Sequence, residues 1–121
     1  TLELGGKCPA ILTEDSINAE SVKQVLATKA IKNGQMCITV DYCLVPRGRL
    51  EDFAALAVSH ARESMPGYCE SPSCTGIISS RHVERLQQLL ADARERGCDV
   101  RPLEESGDLD PTSRQPRGLR P

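Results

Sequence analysis

"NGQMCITVDYCLVP", residues 33–46, decides how this chain folds. Asn33–Gly34 is a turn signal, and the residues from Ile38 to Val45 are short, apolar and rich in β-branched side chains. That combination predicts a strand over residues 38–46, entered from a turn. Cys37 stands where the turn hands over to the strand. A free cysteine in an apolar context is either a small packing residue or a nucleophile, and its own neighbours leave both open.

On either side of the strand the apolar period changes from two to three or four. Upstream, "SINAESVKQVLATKAIKNG" places Val22, Val25, Leu26 and Ala30 at helical spacing. Ser16 or Asn18 supplies its N-cap, and Gly34 lies just beyond its end. Downstream, Phe53, Ala54, Ala57, Val58 and Ala61 repeat the pattern until "MPG" interrupts it. Further on, Ile77 and Ile78 lead through two capping serines into "RHVERLQQLLADARERG", with Val83, Leu86, Leu90 and Ala93 on one face. "TLEL" at 1–4, "PAIL" at 9–12 and "CDVRPL" at 98–103 read as further short strands. Gly5 and Gly6 are expected to make a tight turn at positive φ after the first of them. Strands alternating with helices predict an α/β layer around a mostly parallel sheet.

Composition bounds the rest. Hydrophobic residues make up 39% of the 121, enough for a core. Only Tyr42, Phe53 and Tyr68 carry large rings, so that core is aliphatic. The net charge of −2, with both signs interspersed, argues against nucleic acid or an anionic membrane as partner. No apolar run is long enough to span a membrane, and nothing reads as a signal peptide. Cysteines 8, 37, 43, 69, 74 and 98 show no paired rhythm and no C-x-x-C, and His60 and His82 fall in helical patterns. The expectation is a reduced, cytoplasmic set of thiols with neither disulfide framework nor metal site. From Glu104 to Pro121 the chain is rich in Pro, Gly and charge, which predicts a disordered or non-native tail after a domain at 1–103.

Two segments then fall into register. "LELGGKCP" carries Glu3, and "GQMC" carries Cys37 34 residues later. Together they resemble the aldehyde dehydrogenase superfamily, whose general-base motif is E-L-G-G-K-[S/N]-P and whose nucleophile motif is G-Q-x-C. "DYCLVP", "ESPSCTGIISSRHVERLQQLL" and "GCDVRPL" are most similar to its class 3 and coniferyl aldehyde dehydrogenase branch. The resemblance runs from Thr1 to about Leu103. It implies part of the central catalytic domain of a longer enzyme that oxidises an aldehyde, aromatic or medium-chain, to the acid with NAD or NADP.

By that resemblance Cys37 is the nucleophile, adding to the carbonyl to give a thiohemiacetal that loses hydride to the nicotinamide and becomes a thioester. Glu3 is the base that activates the hydrolytic water or the thiol. The Cys37 backbone N–H contributes to the oxyanion site, Gly34 leaves room beside the thiol, and the Leu4 backbone meets the nicotinamide. Taken singly, Glu3 reads as an edge-strand charge sooner than a base, Lys7 as a structural or surface lysine, His82 as a capping or solvated residue, and 81–96 as a solvated helix face. Cys8, Cys43, Cys69, Cys74 and Cys98 read as packing residues. The sequence departs from the family at Lys32, where the superfamily commonly has Asn, with Asn33 one step along, and at Cys8, where Ser or Asn is usual.

No G-x-G-x-x-G dinucleotide fingerprint is present, and the ending "RGLRP" is not family-like. The expectation is therefore a truncated or frame-shifted fragment, inactive alone, of an enzyme that assembles as a homo-oligomer. Two rivals stand beside it: a non-catalytic structural or oligomerisation remnant of the same family, and a small thiol-redox protein.

Overall fold

The computed structural model describes residues 1–2, 5–68 and 74–103. Two parallel strands, β1 (Cys8–Ile11) and β2 (Val40–Leu44), are joined by helix α1 (Ala19–Ala30). Two further helices follow, α2 (Leu50–Ser64) and α3 (Ser80–Glu95). The result is the expected α/β arrangement, a β-α-β unit with helices added to it.

Each element has a local reason. Asn18, extended at φ −144°, accepts the Ser21 N–H through Oδ1 at 3.1 Å and so caps α1. Ser16 instead belongs to a short 3-10 turn, where its hydroxyl accepts the Thr13 N–H at 2.8 Å. In β1, Pro9 has no N–H to give the ladder, and the irregularity in the pairing falls beside it. Cys8 lies opposite Val40, whereas Pro9 lies opposite Tyr42. The strands are back in step at Ala10–Cys43 and Ile11–Leu44.

The core is small. Ile17, Val22, Ala57 and Ala61 are buried, Val22 completely. Ala57 and Ala61 lie one turn apart on α2, so a face of small side chains lets α1 and α2 approach closely. Around this seam much apolar surface stays open. Ile11 is 71% and Leu44 52% exposed, and on α3 Leu86, Leu89 and Leu90 all face solvent at least in part.

Three expectations need correcting. Thr1 and Leu2 are irregular, with Leu2 86% exposed, because no strand lies beside them to pair with. Residues 98–103 form no strand either. The Arg101 guanidinium instead holds Glu51 at the start of α2 through bonds of 2.7 and 2.9 Å, and also pairs with Asp99. Arg101 lowers the Glu51 carboxyl below its ordinary range, but the pair is exposed and sets position more than stability. Finally, the positive-φ glycines among the described residues are Gly34, Gly67 and Gly97, so Gly6 is not there for a left-handed turn but for its approach to the Cys37 backbone. The strand reading of Glu3–Leu4 and the tail expected over 104–121 lie outside the described residues.

Candidate active site

Cys37 is the second residue of a turn, closed by the Thr39 N–H donating to Met36 O at 3.2 Å, that leads into β2. Its thiol is free and exposed. The turn is held from beneath by Thr39, the one buried polar residue among those described. The Thr39 hydroxyl lies 2.9 Å from Met36 O and 3.3 Å from Gly34 O, tying both ends of the loop to one side chain. Burying a threonine here is tolerable because its hydroxyl is satisfied.

The approach to the turn is unusual backbone. Lys32, Asn33 and Gly34 are all left-handed, at φ 49°, 54° and 73°. Asn and Gly adopt this region readily, whereas lysine is an uncommon occupant. This is where the chain departs from the family pattern, and the amide one step along has a job of its own. Asn33 Nδ2 donates to Thr75 O and lies 3.5 Å from the Cys74 sulfur.

Gln35 extends the same link. Its Nε2 donates to Lys32 O at 2.9 Å and Gly76 O at 3.0 Å, while Oε1 accepts the Ile78 N–H at 3.1 Å. The segment 74–78 is thereby clipped to the Cys37 loop by two amide side chains. Sequence reasoning saw Gln35 only as a motif letter; a side chain carrying two donors and an acceptor, placed between two loops, was the available signal. Truncating it in Gln35→Ala is expected to cost about 1 kcal/mol, since each exposed bond is worth little net. Hydrogen exchange at the Ile78 amide should accelerate while the β1 and β2 amides keep their protection.

The second motif segment comes to the same place. A Cβ built on Gly6 would overlap the Cys37 carbonyl oxygen, and would lie 2.8 Å from its carbonyl carbon and 3.1 Å from its Cα. Gly6 is thus required for close approach of two backbones, not for φ. Two residues on, the Cys8 thiol donates to the same Cys37 oxygen at 3.3 Å. Between them Lys7 pairs with Asp41 of β2 at 2.6 Å and holds that carboxyl below its usual range. Cys43, also on β2, is half-buried, and burial pushes its thiol up despite the opposing charge of Lys29.

Glu3 and Leu4 lie outside the described residues, so of the expected site residues the structure places Cys37 alone. His82 is exposed near the start of α3. Among the described residues there is no cluster of three or more His, Cys, Asp or Glu that would hold a metal ion, and no helix long and apolar enough to cross a membrane.

Comparison with known proteins agrees with this geometry. The model of the "Aldehyde dehydrogenase family" matches residues 1–115. A coniferyl aldehyde dehydrogenase of Pseudomonas sp. (strain HR199) is 37% identical over 112 residues, covering 89% of this chain and 23% of the relative. A probable coniferyl aldehyde dehydrogenase of Pseudomonas aeruginosa is 36% identical over 107 residues, covering 88% of this chain and 22% of its own length. Aldehyde dehydrogenase family 3 member F1 of Arabidopsis thaliana is 38% identical over 103 residues, covering 78% of this chain and 20% of the relative. The chain thus spans less than a quarter of the length of these curated relatives. No solved structure matches it. With the family model covering nearly the whole chain and both motif segments meeting at Cys37, this chain belongs to the aldehyde dehydrogenase family.

Proposed function

We propose that this chain carries the nucleophile segment of an enzyme that oxidises an aldehyde to the carboxylic acid, with Cys37 as nucleophile and Glu3 as base. The observation that carries the reading is the seat of Gly6 on the Cys37 backbone. It sets Gly6, three residues after Glu3 in the sequence, against the turn that presents an exposed thiol, which supports the pairing of the two motifs. An aromatic or medium-chain substrate is part of the same reading, supported by the coniferyl aldehyde dehydrogenases among the relatives.

The chemistry assigned to these residues is limited and definite. The Cys37 sulfur, as thiolate, adds to the aldehyde carbon, and the negative charge that develops on oxygen meets the Cys37 backbone N–H. Glu3 takes a proton, from the thiol before addition or from the water that later releases the acid. NAD or NADP is the hydride acceptor implied by family membership, and the Leu4 backbone is the position in this chain that would meet its nicotinamide. The described residues make no dinucleotide cradle of their own. The connections that follow β1 and β2, residues 12–18 and 45–49, contain a single glycine, Gly48, where a phosphate-binding loop needs several. Alone, the chain is therefore expected to show no turnover. A cytoplasmic location, suggested by six cysteines without C-x-x-C, and assembly of the whole enzyme as a homo-oligomer complete the proposal.

Acyl transfer tests the nucleophile without a cofactor. p-Nitrophenyl acetate, added to the reduced chain near neutral pH, is expected to acetylate Cys37 on the order of tenfold faster than Cys98, which is exposed but lies outside the motifs. The fast phase should vanish in Cys37→Ser and slow in Glu3→Gln. The open apolar surface at Ile11, Leu44 and α3 favours a second reading, a non-catalytic packing remnant. Equal acetylation of Cys37 and Cys98 would establish it in place of the first.

A further inference from the structure

One thiol near Cys37 has no part in that chemistry. Cys8 sits half-buried at the start of β1 and already aims its S–H at the Cys37 carbonyl oxygen, 3.3 Å away. A carbonyl oxygen lies about 2.4 Å from its own Cα, which puts the Cys37 Cα within about 5.7 Å of the Cys8 sulfur. A disulfide therefore needs a rotation of the Cys37 side chain and a shift of about 1–2 Å. The pairing irregularity between Cys8 and Pro9 gives the strand end slack to make it. The two thiols also differ in the way such a pair requires, with Cys37 open to solvent and Cys8 half-buried.

We propose that Cys37 and Cys8 are a peroxide-sensitive pair, in which Cys37 is the oxidised thiol and Cys8 the resolving thiol of a reversible disulfide that masks Cys37. The co-reactant is a hydroperoxide. The Cys37 sulfur attacks one peroxide oxygen, the O–O bond breaks, and the departing oxygen leaves as water or an alcohol after taking a proton. Cys37 is left as a sulfenic acid. The Cys8 sulfur then attacks the Cys37 sulfur, the S–O bond breaks, and hydroxide leaves as water with the Cys8 proton. Two electrons pass from the two thiols to one peroxide. Cys43 is a poorer competitor, since it is half-buried and burial pushes its thiol pKa up. The disulfide itself requires only the placement of the two sulfurs; its consequence for catalysis rests on Cys37 being the nucleophile.

The test treats the full chain with hydrogen peroxide, then digests it with trypsin without reduction. The expected product joins the peptide 8–23 to the peptide 33–47. It should persist in Cys43→Ser, disappear in Cys8→Ser and in Cys37→Ser, and revert with dithiothreitol. A serine hydroxyl can donate the same bond to Cys37 O, so Cys8→Ser should keep the fold and should acetylate as the wild type does before peroxide. After peroxide, Cys8→Ser should instead carry Cys37 onward to sulfinic acid, a loss that dithiothreitol does not reverse. A linked product that survives in Cys37→Ser, or Cys37 joined to the peptides holding Cys69, Cys74 or Cys98, would overturn the pair. So would sulfinic acid forming equally fast in the wild type and Cys8→Ser. Acetylation under reducing conditions reports on the nucleophile separately, so the two readings fail independently.

Discussion

Gly6→Ala is expected to cost about 3 kcal/mol, the upper end for forcing extra atoms into a packed site. The new methyl would meet the Cys37 carbonyl group, and what it meets is backbone, which cannot rotate aside as a flexible side chain would. Either residues 5–7 lift away or the Cys37 turn moves. Both alternatives weaken the Cys8 thiol's bond to Cys37 O and the neighbouring Lys7–Asp41 pair. Gly5→Ala is the control, since a Cβ there meets nothing within 4 Å, and it should stay within about 0.5 kcal/mol of the wild type. Urea unfolding of the three proteins decides it. Equal midpoints for both alanine variants would mean that the two motif segments do not rest on each other. The preference for fast acetylation of Cys37 should fall in Gly6→Ala alone.

Val22→Asp should be more damaging still, at about 4 kcal/mol or more. Val22 is the one side chain among those described that is wholly removed from solvent, at the seam where α1 meets α2. The other buried apolar residues among those described, Ile17, Ala57 and Ala61, have no side-chain polar group to offer a carboxylate, and the buried Thr39 hydroxyl is taken up by Met36 O and Gly34 O. A chain of this size has little stability in reserve, so the variant is expected to lose its helical circular dichroism near neutral pH. The loss should depend on pH in a set direction. Burial raises the folded-state pKa of the new carboxyl above its unfolded value of about 3.9. The penalty therefore grows as pH rises from the unfolded value toward the folded one, and shrinks as pH falls back through that window. Val22→Ala, which leaves a cavity and no charge, should cost about 2 kcal/mol with no such pH dependence.

The helices were legible because apolar period and caps agree. Val22, Ala57 and Ala61 were on the expected faces, and Asn18 was one of two expected caps. β1 and β2 were legible from β-branched and apolar content, each flanked by turn residues. What failed, failed for want of a partner. "CDVRPL" has a strand's composition, but strands exist only in pairs, and here Arg101 finds Glu51 before Val100 finds a neighbour. Gly6 was noticed and its reason missed, because sequence shows that a Cβ is absent and not what would have struck it. The Asn33 and Gln35 links to 74–78 span some forty residues, and no local pattern announces contacts at that separation. For the candidate site, two motifs in register single out Cys37 in the proposal, whereas the clasp of Thr39 on its turn emerged only from the fold.

The left-handed run at Lys32–Gly34 and the amides of Asn33 and Gln35 bear on the order in which a nascent chain matures. Nearly everything that shapes the Cys37 turn lies within residues 6–44: the Gly6 seat, both strands, α1 and the Thr39 clasp. That much can form while later residues are still inside the ribosome, since it asks only for a single β-α-β excursion of modest contact order. The clip onto 74–78 must wait for another thirty or so residues. The thiol is therefore held in its turn before it is braced, and a chaperone or an oxidant meeting the emerging polypeptide would encounter Cys37 in its least protected form.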